Sequence, residues 1–370
     1  MRRRPFAMAA LSGLVAGCAV SHPMYDAGID VGCRDQQSAT TVGSPNGEAG
    51  HGLTWIRSGE RRDKALGSAW CETVGSAVIT LVPGYPYSPL SDDTLAVGSW
   101  NTRVGGADFF EFLDSEFGLT CGDSGPTGGD TVAPFVLMLQ EVYRRSGLLP
   151  HVGKSTVIPW TVDPEERPAE ELDIVELADR CGLSLVYVPS SRNGPDTGAR
   201  PSEDKGNAIL STLPLAAPIA IDLPFEAGRR VAVAAEIPIS EGRTVRVVSV
   251  HLDVLPPLIR TLLTGNQTRA RQAGGLIDAL DLLDARLPGV AATLVGADLN
   301  TWTADETAIL LMRRAFAQSP LWDGQNTRGP FPTDHMFFRS SEGGPQLSGY
   351  RLTDRAYMSD HKARIARLHR

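Results

Sequence analysis

The 370-residue sequence has no surplus of positive charge and none of the residue spacings that zinc sites favour. Its formal net charge is -8 at pH 7, which argues against a strong, non-specific grip on nucleic acid. Its five cysteines contain no CxxC pair and its seven histidines contain no HxH or HxxxH pair, so a zinc hydrolase is disfavoured. These features still allow an enzyme that handles phosphodiesters with the help of a cation.

The apolar run near the N-terminus, FAMAALSGLVAG, is too short to span a membrane. It follows the basic stretch MRRR and ends in small residues, as a secretory signal peptide does. The run closes with LVAGC, which resembles a bacterial lipobox whose lipidated residue is Cys18. We therefore expect residues 1–18 to be a lipoprotein signal peptide. The exported protein would be held to the cell envelope membrane by acyl chains on Cys18.

Export places the remaining cysteines in an oxidising compartment, where disulfides form. Cys33, Cys71, Cys121 and Cys181 allow three pairings, which spacing cannot distinguish. We favour the nearest neighbours, Cys33 with Cys71 and Cys121 with Cys181, and keep four buried thiols as the alternative.

The chain is predicted to divide into a leader, an N-terminal extension and one main domain. Residues 19–50 are rich in Ser, Thr, Gly and Asp and are typical of a tether, whereas residues 51–90 carry apolar and aromatic side chains. We expect 19–92 to be a tether and extension that packs on the main domain, and 93–370 to be the catalytic domain.

Within the main domain, apolar runs alternate with amphipathic segments, which predicts mixed sheets with helices outside. The predicted strands are 95–100, 134–142, 184–188, 207–211, 230–238, 244–252, 291–299, 333–339 and 363–368. The predicted helices are 107–117, 168–181, 267–286 and 304–317. The stretch PSSRNGPDTGARPSEDKG, 189–206, is predicted to form a loop because it is rich in Pro, Gly and Ser.

Several predicted strands end in a polar side chain, where a buried strand would open onto a cleft. These end residues are Asn101, Glu141, His251, Asp253, Asp298 and Asn300. Hard oxygen ligands predominate among them, which indicates a Mg²⁺-type site. Each residue alone also fits a simpler interpretation, such as a surface carboxylate, a structural histidine or a turn residue.

The order of the motifs SWN, LQEV, GNAILS, SVHLD, GADLN, TDHMF and SDH resembles that of the endonuclease/exonuclease/phosphatase superfamily. The resemblance runs from about residue 95 to residue 365. It implies a four-layer sandwich in which two mixed sheets pack face to face with helices on the outside. It also implies a divalent cation at one edge, usually Mg²⁺, with Mn²⁺ or Ca²⁺ as alternatives.

The resemblance also implies roles for single residues. Metal binding falls to Glu141, Asn101 and Asp360. Catalysis falls to His251, Asp298, Asn300, Asp334 and His361. Within that set, Asp298 would orient or deprotonate the attacking water, and Asp334 would orient His361. Substrate contact falls to Asn207, and the basic pair Arg144 and Arg145 either meets phosphates or forms a solvated rim.

Adjacent residues in a strand point to opposite faces, so Asp360 and His361 cannot both serve one site from within a strand. We therefore expect them on the loop that enters the last strand. A buried Asp334 beside His361 would fix the tautomer of the imidazole and raise its pKa.

The sequence thus predicts a metal-dependent hydrolase of phosphodiester bonds, with nucleic acid slightly favoured as the substrate. A sphingomyelinase-like lipid or inositol phosphodiesterase or phosphatase is the alternative. A non-catalytic envelope binding lipoprotein is less favoured, because it predicts loss of Glu141, Asp298 or His361, and all three are present. The sequence indicates no protein partner.

Overall fold

The structure is a computed structural model that describes most of the chain after residue 23. The described residues are 24–29, 40–42, 52–81, 94–122, 125–127, 132–153, 171–196, 202–240, 242–254, 267–320 and 325–369. The predicted signal peptide, Cys18 and Cys33 lie outside these residues. The lipid anchor and the Cys33–Cys71 pairing therefore stay predictions.

The strands and helices alternate along the chain. In chain order the strands are β1 (Met24–Ile29), β2 (Thr40–Val42), β3 (Thr54–Ser58), β4 (Val78–Thr80), β5 (Thr94–Asn101), β6 (Thr120–Gly122), β7 (Gly125–Thr127), β8 (Phe135–Arg145), β9 (Ser184–Arg192), β10 (Glu203–Ser211), β11 (Ala216–Asp222), β12 (Val231–Ser240), β13 (Arg243–His251), β14 (Val290–Asp298), β15 (Asp334–Ser340), β16 (Gln346–Leu352) and β17 (Arg364–His369). The helices are α1 (Arg61–Cys71), α2 (Phe109–Phe117), α3 (Ile174–Cys181), α4 (Gln267–Arg286) and α5 (Thr307–Ala315). Within the described residues, no helix is long and apolar enough to cross a membrane.

Two large mixed sheets form the centre of the molecule. The first sheet has the order β1-β3-β11-β12-β13-β14-β15 and the second has the order β16-β17-β5-β8-β10-β9-β4-β2. Both contain parallel and antiparallel pairs: β13 runs parallel to β14 in the first, and β5 runs parallel to β8 in the second. β6 and β7 form a separate two-stranded ribbon.

Three apolar clusters define four layers. One cluster joins the facing sides of the two sheets, with Val136 and Met138 from the second sheet against Val233 and Val247 from the first. A second cluster packs α2 and α3 on the outer side of the second sheet, and a third packs α4 and α5 on the outer side of the first. Because β8 and β14 lie between two apolar layers, their sequences are continuous apolar runs rather than alternating ones. The predicted four-layer sandwich is confirmed.

Local signals set the ends of the helices that cover the second sheet. The Asp173 side chain accepts hydrogen bonds from Val175 and Glu176 at the start of α3, and Gly182 ends the helix with a positive φ of 60°. Asp108 and Gly118 play the same two roles for α2. These polar caps satisfy backbone groups that the helices leave unpaired.

The structure corrects the prediction for two segments. The predicted tether, 19–50, contains β1 and β2, which add a strand to each sheet because β1 pairs with β3 and β2 pairs with β4. The predicted loop, 189–206, is shorter than expected, since β9 continues to Arg192 and β10 begins at Glu203. Strand pairing across the sheet outweighs the local preference of Pro, Gly and Ser for turns there.

Cys121 and Cys181 form a disulfide, which confirms the favoured pairing of these two residues. The bond ties the ribbon strand β6 to the last residue of α3, across a sequence separation of 60 residues.

Reduction of this disulfide is expected to lower the free energy of unfolding by about 2–4 kcal/mol, because the unfolded chain regains the entropy of a long closed loop. Urea denaturation with and without dithiothreitol measures the effect. The variant Cys121→Ser should be as unstable as the reduced protein, and dithiothreitol should change its midpoint much less. An equal response of the variant and the wild type to dithiothreitol would contradict the assignment.

Candidate active site

The candidate site lies at one edge of the sandwich, where strands β5, β13 and β14 end and strand β15 begins. In the first sheet, His251 at the end of β13 pairs in register with Asp298 at the end of β14, which in turn faces Asp334 at the start of β15. In the second sheet, Asn101 at the end of β5 lies in register with Gln140 on β8. Parallel strands deliver their carboxyl ends to the same edge, so side chains that are distant in sequence converge there.

Glu141 reaches this edge through a β-bulge. The register of β8 against β10 shifts so that Gln140 and Glu141 together face the single residue Asn207. Glu141 has a φ of +52°, which is uncommon outside glycine and costs on the order of 1–3 kcal/mol. Backbone strain of this kind concentrates at functional sites. The Oε1 atom of Glu141 lies 3.6 Å from Nδ1 of His251.

Asp298 is the centre of the hydrogen-bond network. Its Oδ2 accepts a hydrogen bond of 2.8 Å from the amide of Asn101, and its Oδ1 accepts one of 2.8 Å from the backbone N–H of Asn300. Burial and the nearby charge of Asp334 raise the pKa of Asp298 to about 6, against the opposing effects of His361 and of the hydrogen bonds from Asn101 and Asn300. The carboxyl group is thus poised to exchange a proton near neutral pH.

His251 is held in its neutral form. Burial lowers its pKa well below the usual value, and the charges of Arg230 and Lys205 lower it further. The amide of Asn300 donates to the carbonyl of Leu252 (2.9 Å) and lies 2.7 Å from Nε2 of His251. Since the amide nitrogen is the donor, Nε2 accepts and the ring proton is on Nδ1, towards Glu141.

His361 and Asp334 form a buried pair. Nδ1 of His361 lies 2.7 Å from Oδ2 of Asp334, which is the contact expected from the sequence. Burial opposes protonation of His361, but the negative charge of Asp334 outweighs it and raises the pKa to about 10. The ring is therefore an imidazolium at neutral pH. Its Nε2 points towards Asp298 and Asp360, at 4.0 and 3.9 Å, too far for a hydrogen bond with either.

The loop that carries His361 is fixed on both sides. The hydroxyl of Ser359 donates to the carbonyl of Asn101 (2.8 Å) and accepts from the backbone N–H of His361 (3.0 Å). The indole of Trp100 donates to the carbonyl of His361 (3.0 Å). Asp360 and His361 precede β17, as expected, and the short Ser-x-His turn joins their loop to the end of β5.

The other predicted residues occupy different places. Asp360 forms a 2.7 Å ion pair with Arg328 at the mouth of the site. Asn207 is buried between the sheets and donates to the carbonyl of Val231 (2.6 Å). Its position beside the Glu141 bulge places it next to the cluster, and its role in substrate contact stays a prediction.

Arg144 is turned away from the cluster. Its Nε donates to Oδ1 of Asp204 (2.9 Å), and its guanidinium lies over the ring of Tyr187, which belongs to the cluster under α2 and α3. A buried ion pair on the outer side of the second sheet thus replaces the predicted substrate contact. Arg145 is exposed, and its backbone N–H donates to Asp173 (2.8 Å).

The sequence interpretation missed two cations at the site, Arg328 and Arg230. Arg328 pairs with Asp360, and Arg230 forms a 2.9 Å ion pair with Asp253. Arg230, Lys205 and Arg328 all act on the charge of His251. Their only sequence signal is proximity to motif residues: Arg328 precedes Asp334 by a few positions, and Lys205 precedes Asn207 by two, which places both on one face of β10.

The donor set suits a hard divalent cation. Asp298, Asp334 and His361 offer ligand atoms within 4.8 Å of one another, as a buried metal site would. A protonated His361 offers no lone pair, so the oxygens of Asp298, Glu141 and Asn101 are better placed to serve. Oδ1 of Asp334 is buried with no hydrogen-bond donor among the described residues. The cluster thus has excess negative charge and, among the described residues, a carboxylate oxygen without a donor. A bound cation would satisfy both.

Comparison with known proteins gives a fold-level likeness. Neither a protein-family model nor a curated protein matches the sequence. The solved structures that it resembles are endonuclease/exonuclease/phosphatase proteins. One, from Beutenbergia cavernae, is 16% identical with a TM-score of 0.48, covering 75% of this chain and 71% of that one.

Two further structures have similar values. The catalytic domain of human Nocturnin with a bound sulfate anion is 16% identical, with a TM-score of 0.48 and coverage of 75% and 94% of the two chains. A family protein from Leptotrichia buccalis is 11% identical, with a TM-score of 0.45 and coverage of 75% and 100%. At TM-scores below 0.5, the functional argument depends on the geometry of the site itself.

Replacement of Asp334 by Asn is expected to lower the pKa of His361 well below its wild-type value of about 10, because burial is then opposed only by the charges of Asp298 and Asp360. The wild-type ring should stay protonated from pH 6 to about pH 9. NMR titration of the imidazole Cε1 proton in metal-free protein, with a chelator present, measures the change. Asp360→Asn is the matched control, since its carboxylate is the last of the three that raise this pKa. Similar shifts in both variants would contradict the assigned pair.

Proposed function

We propose that the protein is a divalent-metal-dependent phosphodiesterase that cleaves by in-line attack of water. The observation that carries the proposal is the pairing of opposite proton states in one cleft. Asp298 has a pKa of about 6, and its Oδ2 lies 4.0 Å from the Nε2 of an imidazolium, His361. Two titratable groups held in opposite states by their surroundings are typical of acid–base catalysis.

Asp298 is the residue best placed to accept a proton from water. A general base is most effective when its pKa is close to the working pH, and both oxygens of Asp298 are oriented by hydrogen bonds from Asn101 and Asn300. The orientation holds the carboxylate in one rotamer, which favours a fixed direction of attack.

His361 supplies a charged donor for the phosphoryl group. Its Nε2–H has no hydrogen-bond acceptor at 3.5 Å or less in the described cluster and points into the cleft. Preorganised donors of this kind stabilise charge that grows on phosphoryl oxygens in the transition state. Asp334 acts as a positioning residue, since it holds the ring in one tautomer and keeps it charged.

Glu141 and Asn101 would hold the cation, because Asp298 is assigned to the attacking water; Mg²⁺ is the first candidate and Mn²⁺ and Ca²⁺ are the alternatives. When bound, the cation supplies charge neutralisation for the phosphate, which otherwise repels an incoming hydroxide. Asp360 would become a further metal ligand only if its ion pair with Arg328 were broken.

The mouth of the site favours nucleic acid as the substrate. Trp302 and Phe331, with ring centroids 6.1 Å apart, are exposed on the segments that follow Asn300 and precede Asp334. Flat aromatic surfaces stack on nucleobases, and the exposed Arg328 lies close by in sequence and can meet a phosphate. A lipid phosphodiesterase is the second candidate. Met358, on the loop that carries His361, is exposed and would suit a membrane surface, as would the expected lipid anchor on Cys18.

The first test is hydrolysis by the wild type, with Mg²⁺, Mn²⁺ or Ca²⁺, of single-stranded DNA, RNA, sphingomyelin, an inositol phosphate and bis(p-nitrophenyl) phosphate. We expect cleavage of the nucleic acids and of the small diester. Asp298→Asn should lower kcat by about 10²- to 10⁴-fold, because the amide cannot accept the proton. Glu342→Gln, which removes an exposed carboxylate, is the control. No cleavage of any substrate with any metal would refute the proposal.

The second test addresses the cation. Glu141→Gln removes one charged ligand, so the concentration of Mg²⁺ that gives half-maximal activity should rise at least about tenfold. A titration of activity against Mg²⁺ measures this, with Glu342→Gln again as the control. An unchanged midpoint, with activity lowered by the same factor at every Mg²⁺ concentration, would remove Glu141 from the metal site.

A further inference from the structure

A second cleft lies on the same edge of the first sheet, outside the catalytic cluster. It has a volume of about 90 Å³ and is lined chiefly by Arg57, Asp63, Trp70, Asp222 and Arg229. Arg57 and Asp222 are register partners on β3 and β11, and α1 covers them. A cavity of this volume accommodates several water molecules or one small anion.

Two guanidinium groups in this cleft share one carboxylate. Nε of Arg229 donates to Oδ1 of Asp222 (2.5 Å), and Nε of Arg57 lies 3.4 Å from Oδ2 of the same residue. Burial and the charge of Arg57 lower the pKa of Arg229 to about 10, although Asp222 opposes the shift. The pair therefore has a surplus of positive charge that Asp222 alone does not balance.

The cleft also has a donor without an acceptor. Nη2 of Arg57 is buried and makes no hydrogen bond to any described residue. Both guanidinium groups lie over aromatic rings, with Cζ of Arg57 4.9 Å from the ring centroid of Trp55 and Arg229 over Trp70. Guanidinium groups fixed in this way, with a donor left over, are suited to bidentate recognition of a phosphate.

Asp63 is the one feature that opposes an anion. Its carboxylate lies in the lining, but burial raises its pKa, with a smaller contribution from Glu60, and its Oδ2 has no hydrogen-bond partner among the described residues. Burial disfavours the charged form of Asp63 and so weakens its repulsion of an anion.

The cleft and the catalytic cluster lie along the same edge of the first sheet. Along the first sheet, β3 is three strands from β13, which is about 14 Å at the usual strand spacing. Arg229 and Arg230 are neighbours on the segment between β11 and β12, and the two side chains diverge. Arg229 enters the cleft, whereas Arg230 pairs with Asp253, two residues after His251. Two neighbouring arginines thus place one guanidinium group in the cleft and one beside the catalytic cluster.

We infer that this cleft is a second phosphate-binding subsite, in which Arg57 and Arg229 bind a phosphate of a nucleic acid strand several nucleotides from the bond that is cleaved. The inference rests on the proposed phosphodiesterase function and names its substrate as an extended strand. A span of about 14 Å exceeds the reach of a single nucleotide step, since stacked nucleotides rise about 3.4 Å each. A small diester or a single lipid head group would occupy the catalytic cluster alone.

The experiment compares kcat/KM for a single-stranded octanucleotide with that for a dinucleotide. In the wild type, the octanucleotide should be preferred, and Arg57→Gln should reduce that preference about tenfold, chiefly through KM. The slope of log KM against log salt concentration should fall by about one for the octanucleotide. Arg61→Gln, an exposed arginine at the start of α1, is the matched control and should leave the preference unchanged.

Two further measurements separate the possible outcomes. Inorganic phosphate, added to the chelator-treated protein, should raise the melting temperature of the wild type more than that of Arg57→Gln, whether or not the enzyme is active. If Arg57→Gln folds and has lost only the phosphate contact, Arg57→Lys, which keeps the positive charge, should recover part of the preference for the octanucleotide. Equal loss of kcat/KM on both substrates, or an equal phosphate response in both proteins, would overturn the subsite. Absence of hydrolysis by the wild type would refute the phosphodiesterase instead.

Discussion

The hydrogen bond between Asn101 and Asp298 joins the two sheets at the edge where the candidate site lies. Asn101 ends β5 in the second sheet and Asp298 ends β14 in the first, and their side chains are 2.8 Å apart. Several other contacts of the cluster are made by the same two residues. Through Asp298 the bond fixes the position of Asn300 and His251, and through the carbonyl of Asn101 it fixes Ser359 and the loop of His361. The site is therefore a property of the packing of the sheets and not of one loop.

The electrostatics of the cluster follow from the same packing. Buried in one apolar frame are two carboxyl groups and two imidazoles, and their proton states differ because their partners differ. His361 lies 2.7 Å from the carboxylate of Asp334 and is charged, whereas His251 is no closer than 3.6 Å to Glu141 and Asp298, is also affected by the charges of Arg230 and Lys205, and is neutral. Desolvation acts on both rings in the same direction, so the partner decides the outcome. The same frame leaves one oxygen of Asp334 without a donor, which is costly unless a cation or a substrate group completes it.

The sequence predicted the layers of the fold and most of the cluster, because each depends on local patterns. Continuous apolar runs mark strands buried on both faces, and polar residues at their ends mark the edge on which they converge. The contact between Asp334 and His361 was expected and is present. What sequence patterns could not give were long-range effects: the strands β1 and β2 in a Ser- and Gly-rich stretch, and the charges of Arg230 and Arg328 at the site. These depend on which strands become neighbours, and no local preference encodes that.

The extra residue at Glu141 has a consequence for the sign of the charge that the second sheet presents to the cleft. Before the bulge, β8 alternates regularly, with Leu137 and Leu139 towards the helices and Met138 towards the other sheet. Uninterrupted alternation would turn Glu141 outwards and Arg144 inwards. The inserted residue reverses the phase, so that the carboxylate faces the cleft and the guanidinium is neutralised by Asp204 on the far side. One inserted residue thus determines whether β8 places a carboxylate or a guanidinium at this edge. A carboxylate there attracts a metal cation first, whereas a guanidinium would attract a phosphate.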